Sequence, residues 1–162
     1  MSNDDLFNKV ASDEPKEDIL VRSSDLKGIS LNSALVANMI DGMPAFFIAA
    51  ALAEGVTIVK DAKELRTKES DRLEAMASSL DAFGVKYHLS QDDIEIYGLG
   101  SEGVLKSAEI NSYGDHRIAM ASAIGSLRSD RETKILDCEN VKTSFPNFVD
   151  TCKQIGININ QS

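Results

Sequence analysis

The sequence contains no tryptophan, three prolines, two histidines and two cysteines in 162 residues. Two thiols, Cys138 and Cys152, cannot build a disulfide framework, and neither stands in a CxxC pair or a Cys/His cluster with metal-ligand spacing. They read as reduced thiols of a cytoplasmic protein. A scarcity of proline beside 43% hydrophobic residues excludes a collagen-like rod and a disordered chain. Basic residues are also few: 17 Lys and Arg against 26 Asp and Glu give a net charge of −9. Such a chain repels a phosphate backbone, so general nucleic-acid binding is not expected, although a small basic pocket is compatible with it. No apolar run is long. Met43–Ala53 is the longest, well short of the roughly 20 residues that cross a bilayer. The start Met1–Asp5 has neither the basic nor the apolar part of a secretory signal. What remains is enough chain for one compact domain with its own core.

Apolar periodicity and breakers set the expected elements. Residues 1–18 read as a loose polar leader. Ile19–Arg22 and Ile29–Leu31 read as short strands around a Leu26-Lys27-Gly28 turn. Pro44–Ala53 predicts a helix with proline in its first turn and Gly55 at its stop, apolar nearly all round and therefore deeply buried. Val56–Val59 predicts a strand. Ser70–Phe83 carries Leu73, Met76, Leu80 and Phe83 at spacings of three and four, the stripe of an amphipathic helix, and Gly84 ends it. Val85–Leu89 and Ile94–Tyr97 predict a hairpin around Gln91-Asp92-Asp93. A helix over Asp115–Leu127, a strand over Lys134–Leu136, a helix over Ser144–Ile155 stopping at Gly156, and a last strand over Ile157–Ile159 complete the series.

The order repeats. Asp41–Leu89 and Asp115–Ile159 each run through a buried helix, a short strand, a polar loop, an amphipathic helix, a glycine and a strand. The loops carry Lys68-Glu69-Ser70 and Lys142-Thr143-Ser144. An internal duplication is one explanation; chance likeness of two ordinary α/β units is the other.

Charge is misplaced at the helix starts. A helix N-terminus carries partial positive charge and unpaired N–H groups, so acids are favoured there. Yet Arg72 and Arg117 fall in predicted first turns, and Lys142 falls just before one. Each exposed cation there costs about 0.3–1 kcal/mol. A charge-assisted hydrogen bond to an anion returns about 1.5–3 kcal/mol, so a bound phosphate or carboxylate outweighs the cost if the ends converge. Ordinary explanations compete: Arg72 paired with Asp71 or Glu69, Arg117 with Asp115, Lys142 solvated, and His116 a structural hydrogen-bonding histidine. Two carboxylates are candidates for proton work: Glu69, alternatively a favourable first-turn acid, and Asp41, alternatively the cap of the Pro44 helix.

Taken together, Lys68-Glu69-Ser70-Asp71-Arg72-Leu73, Gly114-Asp115-His116-Arg117-Ile118-Ala119-Met120 and Thr143-Ser144-Phe145-Pro146 resemble three signatures of the 5-enolpyruvylshikimate-3-phosphate synthases. Val21-Arg22-Ser23-Ser24 with Leu26-Lys27-Gly28 fits as well. The resemblance runs from about Asp18 to the end.

It implies an α/β (α+β) fold of repeated βαβαββ units, part of the C-terminal domain of an inside-out α/β barrel. Residues 19–162 would form a partial C-terminal domain of two related units, about 19–100 and 101–162, with the N-terminal domain missing. The implied reaction moves the enolpyruvyl group of phosphoenolpyruvate to the 5-hydroxyl of shikimate 3-phosphate and needs no metal or organic cofactor. By motif, Asp41 would take the hydroxyl proton and Glu69 would protonate the methylene carbon. Lys68 would contact shikimate 3-phosphate, and Arg72 and Arg117 would bind phosphoenolpyruvate, with lesser parts for Lys142 and His116.

Two positions depart from the pattern. Thr143 stands where some members place a phosphoenolpyruvate-binding lysine, Lys142 being one residue early, and Glu64 stands where some place an asparagine. The isolated chain is expected to be inactive, with self-association through exposed edges left open. A relative of the UDP-N-acetylglucosamine enolpyruvyl transferases and a non-catalytic anion-binding module are the alternatives.

Overall fold

A computed structural model describes Leu20 and residues 22–161. Eight helical segments and six strands alternate along it. Strand β1 (Ser30–Leu31) leads into α1 (Ser33–Asn38), α2 (Met43–Ala51) and β2 (Val56–Val59). A 3-10 turn (Lys63–Thr67), α3 (Arg72–Ala82) and the hairpin β3 (Lys86–Leu89) and β4 (Ile94–Tyr97) follow. Then come β5 (Glu109–Asn111), α4 (His116–Gly125), a 3-10 turn (Ser126–Arg128), β6 (Lys134–Leu136), α5 (Val141–Ser144) and α6 (Phe148–Gln154). Among the described residues no helix is long and apolar enough to cross a membrane.

The strands form two sheets. The larger has the order β1-β2-β4-β3, with β1 parallel to β2 and the other neighbours antiparallel. The smaller pairs β5 parallel to β6. Parallel neighbours require a crossover, supplied by α1 and α2 in one case and by α4 in the other. Two stretches of the backbone take similar turns. After β2 and β6 the chain turns through Asp61 and Asp137, both non-glycine residues with positive φ of 53° and 58°. A one-turn helix follows each, then α3 or α6, whose N-cap residues are Asp71 and Asn147. Gly84 and Gly156, with φ of 75° and 89°, end the two helices. Gly84 leads into the β3–β4 hairpin.

The core lies between α2, α3, α4 and the larger sheet. Phe47, Leu73, Leu80, Phe83, Ile94, Ile96 and Ile118 are fully buried, each contributing about 1.5–3 kcal/mol of transfer free energy. The stripe predicted on α3 is the buried one. Helix α2 packs on α4 where Gly125 leaves room for Ile48.

Several expectations need correction. Ile19 and Val21 lie outside the described residues, and Leu20 and Arg22 join no strand. Leu26–Gly28 is not a turn: Lys27 forms a parallel bridge with Glu54, and the Gly28 N–H donates to the Glu54 carbonyl at 2.8 Å. The helix expected over Ser144–Ile155 is two short ones. Pro146 disfavours helical geometry at the preceding residue, and Phe145 sits at φ −139°, ψ 79°. Ile157–Ile159 forms no strand; the Ile157 N–H turns back to the Cys152 carbonyl. Helix α3 begins at Arg72 because the Asp71 side chain accepts from the Glu74 N–H. Helix α1, capped by Asn32, and β5 are short elements that periodicity does not register.

Candidate active site

Three segments far apart in the chain meet at Arg72. It is the first residue of α3, yet its side chain is only 1% exposed. The guanidinium is satisfied on every side. Nε donates to Asp115 Oδ2 at 2.7 Å, Nη2 to Glu69 Oε2 at 2.5 Å, and Nη1 to Asp41 Oδ1 at 3.3 Å. Burial works against the charge of Arg72. The hydrogen bond and charge of Asp115, then Glu69 and Asp41, outweigh it and raise the pKa above the ordinary arginine value.

Asp115 is the deepest of the three acids, with no exposed side-chain surface. It caps α4: Oδ1 accepts the Arg117 N–H at 2.9 Å, while Oδ2 holds Arg72 and accepts from the Ser70 hydroxyl at 3.3 Å. The pairing considered between Arg117 and Asp115 is therefore a backbone contact. The Arg117 guanidinium goes to Asp41, with Nη2 3.0 Å from Oδ2 and Nη1 donating to the Asp41 carbonyl at 3.2 Å. Arg117 Nε is buried without a partner. Likewise Arg72 pairs with Glu69 and not with Asp71, which is held by Arg66.

Asp41 is not the cap of α2. Gly42 occupies that position, and the Asp41 carboxylate reaches the two arginines, one with each oxygen. Asp41 and Glu69 remain half-exposed, so both are open to a ligand. Beside them a groove of about 230 Å³ runs between α2 and α4, floored by Pro44, Ala45 and Ile48 on one side and Met120, Ala121 and Ile124 on the other. A charged rim against an apolar wall suits a small anion with a hydrocarbon part.

The remaining expected residues divide. Lys68 is exposed on the loop that carries Glu69, and its ammonium enters none of the ion pairs among the described residues. His116 is half-buried as the first residue of α4, beside Arg117. Lys142 departs from expectation: it lies within α5, in its last turn, exposed and outside the arginine cluster. Glu64 sits exposed on the 3-10 turn. Sequence reasoning missed Asp115 as the partner of both Arg72 and the Ser70 hydroxyl. The signal was present as an acid directly before a helix that begins with a cation.

Comparison with known proteins places the chain in a family. The family profile of EPSP synthase (3-phosphoshikimate 1-carboxyvinyltransferase) matches residues 7–152. The chain belongs to the EPSP synthase family. Its relatives include the 3-phosphoshikimate 1-carboxyvinyltransferase of Ruthia magnifica subsp. Calyptogena magnifica, 49% identical over 145 residues, covering 88% of this chain and 32% of that protein. That of Coxiella burnetii (strain RSA 331) is 44% identical over 148 residues, 91% of this chain and 33% of that protein. Among solved structures, the EPSP synthase of Acinetobacter baumannii superposes with a TM-score of 0.80 at 39% identity over 85% of this chain and 32% of that one. The enolpyruvyl transferase NikO of Streptomyces tendae shares the fold, with a TM-score of 0.61 at 16% identity. The chain spans about a third of the length of the EPSP synthases it matches.

Proposed function

We propose that the chain is the C-terminal part of an enzyme that transfers the enolpyruvyl group of phosphoenolpyruvate to the 5-hydroxyl of shikimate 3-phosphate, in the cytoplasm. The residue 19–100 and 101–162 units are then neighbouring repeats of one partial domain. The observation that carries this reading is Asp41 bridging Arg72 and Arg117, with Glu69 on the far side of Arg72. Two cations and two accessible carboxylates within one cluster are the groups that an addition–elimination on a phosphorylated substrate uses.

In this reading the phosphoenolpyruvate anion takes the guanidinium edges of Arg72 and Arg117. It displaces Asp41 and Glu69 from them, which leaves both carboxylates free for proton transfer. Asp41 accepts the proton of the 5-hydroxyl as its oxygen bonds to C2 of phosphoenolpyruvate, and Glu69, which takes up a proton from solvent once it is released from Arg72, delivers that proton to C3. Return of a proton from C3 to Glu69 and cleavage of the bond between C2 and the phosphate oxygen then release inorganic phosphate, which takes the proton held by Asp41. Lys68 contacts shikimate 3-phosphate near the reacting oxygen. His116 and Lys142 have secondary places, that of Lys142 requiring movement of α5 toward the cluster.

The chain alone offers an open half-site and is inactive in this reading, since it neither excludes water nor fixes the acceptor. The partner it needs is the remaining two thirds of the enzyme. Fusing that part of the Ruthia magnifica protein to this chain and following phosphate release from both substrates tests it. Turnover by the fusion, and none by the chain, is expected; an inactive but folded fusion overturns the reading. A non-catalytic anion-binding module, the second reading, predicts phosphate binding by the chain and no turnover by either.

A further inference from the structure

Glu69 and Lys68 stand on a loop, and a loop does not hold a reacting group in place by itself. The loop is clipped at its base. Arg66 Nη1 donates to Asp71 Oδ2 at 2.7 Å, closing the four residues Thr67–Ser70 into a ring, while Asp71 Oδ1 caps α3. From the other side Arg66 reaches the β3–β4 turn. Its Nε and Nη2 both donate to the Gln91 carbonyl, at 2.9 and 2.5 Å. The start of the loop is tied to the same turn: the Asp61 N–H donates to Asp93 Oδ1 at 2.8 Å and the Ala62 N–H to the Asp92 carbonyl at 2.7 Å.

The chain contains its own comparison. In the second unit Asp137, Lys142 and Asn147 repeat the five-residue spacings of Asp61, Arg66 and Asp71. Asp137 has the same positive φ as Asp61, and Asn147 is likewise the N-cap residue of the next helix. Lys142, in the place of Arg66, is exposed and enters none of the ion pairs among the described residues. The segment between Lys142 and Asn147 is Thr-Ser-Phe-Pro, without the Lys-Glu pair. Among the described residues, clip and charged loop occur together in one unit and are absent together from the other.

We propose that Arg66, braced on the 91–93 turn, is the positioning residue that sets Lys68 and Glu69 against Arg72. It touches no ligand itself. The inference rests on the anion-site reading above for its functional weight, and on the bonds listed for its geometry. A planar guanidinium reaches the Gln91 carbonyl and the Asp71 carboxylate at once; an ammonium keeps the charge but not the fork.

The test uses the chain as it stands, with inorganic phosphate as probe and Arg66→Lys and Asp93→Ala as variants. Asp93→Ala removes the tie between the Asp61 N–H and the 91–93 turn while leaving Arg66 and its own bonds in place, and keeps the experiment decisive if Arg66→Lys fails to fold. The expected result is that backbone amide signals of Lys68, Glu69 and Ser70 move while those of the α3 interior stay, with phosphate binding weakened by about fivefold. Unmoved loop amides together with unchanged phosphate affinity overturn the proposal. Loop amides that move in a chain to which phosphate does not bind uphold the positioning role and overturn the anion-site reading.

Discussion

Asp115 Oδ2 lies 2.7 Å from Arg72 Nε, and neither side chain has more than 1% of its surface exposed. Removing one partner of such a pair leaves the other charge buried and uncompensated, at a cost of about 3–5 kcal/mol. Asp115→Ala also deletes the cap of α4. It is expected to lower the unfolding free energy by that order and the urea midpoint with it, with Asp115→Asn milder because the amide oxygen still accepts from the Arg117 N–H. Urea unfolding of the three proteins at one pH checks this; equal midpoints refute it.

Asp41 competes with any anion for two guanidiniums. Asp41→Ala therefore tightens phosphate binding to the chain, by about 1 kcal/mol or fivefold at low salt. On its proposed role as proton acceptor, the same substitution is expected to abolish turnover in the completed enzyme. Opposite signs on binding and turnover separate a reacting carboxylate from a merely structural one, and calorimetry with a phosphate-release assay reads both.

Gly98 follows β4 and passes the end of α2. A Cβ there would lie 2.1 Å from the Ala53 carbonyl oxygen and 2.6 Å from that of Ala50. Backbone cannot yield as a side-chain tip can, so Gly98→Ala is expected to destabilise by about 1–3 kcal/mol. Thermal unfolding against Gly55→Ala, where no atom lies within 4 Å but φ is +90°, distinguishes close approach from backbone strain.

Asp130 accepts the Ser107 N–H at 2.7 Å, and this backbone hydrogen bond, the largest influence on it, lowers its pKa below the ordinary aspartate value. A carboxyl with a depressed folded pKa adds stability that is fully present above the unfolded value of 3.8 and fades as pH falls through the folded one. Asp130→Asn should differ from the parent protein in urea midpoint at pH 6, with the difference shrinking below pH ~4. A gap that stays constant across that range contradicts the assignment.

What the sequence made legible follows from local rules. Val56–Val59, Ile94–Tyr97 and Lys134–Leu136 are strands at the residues expected, and the α3 stripe faces the core. Arg72 and Arg117 open helices as read, because a cation at a helix start signals an acid nearby. Which acid it is depends on tertiary structure. Asp115 reaches Arg72 across 43 residues and Asp41 reaches Arg117 across 76, separations that no spacing rule covers. Likewise the Lys27–Glu54 bridge and the brace from Arg66 to Gln91 exist only once the sheet has formed. Pro146 was legible as a residue and underweighted as a breaker, which is why one expected helix became two.

The central claim is that Arg72 and Arg117 form one anion site. Titrating inorganic phosphate into the ¹⁵N-labelled chain and following the two arginine Nε–H signals tests it most directly. Both signals shifting together along one saturable curve, with Arg72→Ala abolishing the response at Arg117, is the predicted result. Arginine signals that stay still, or that follow separate curves unaffected by that substitution, would contradict it.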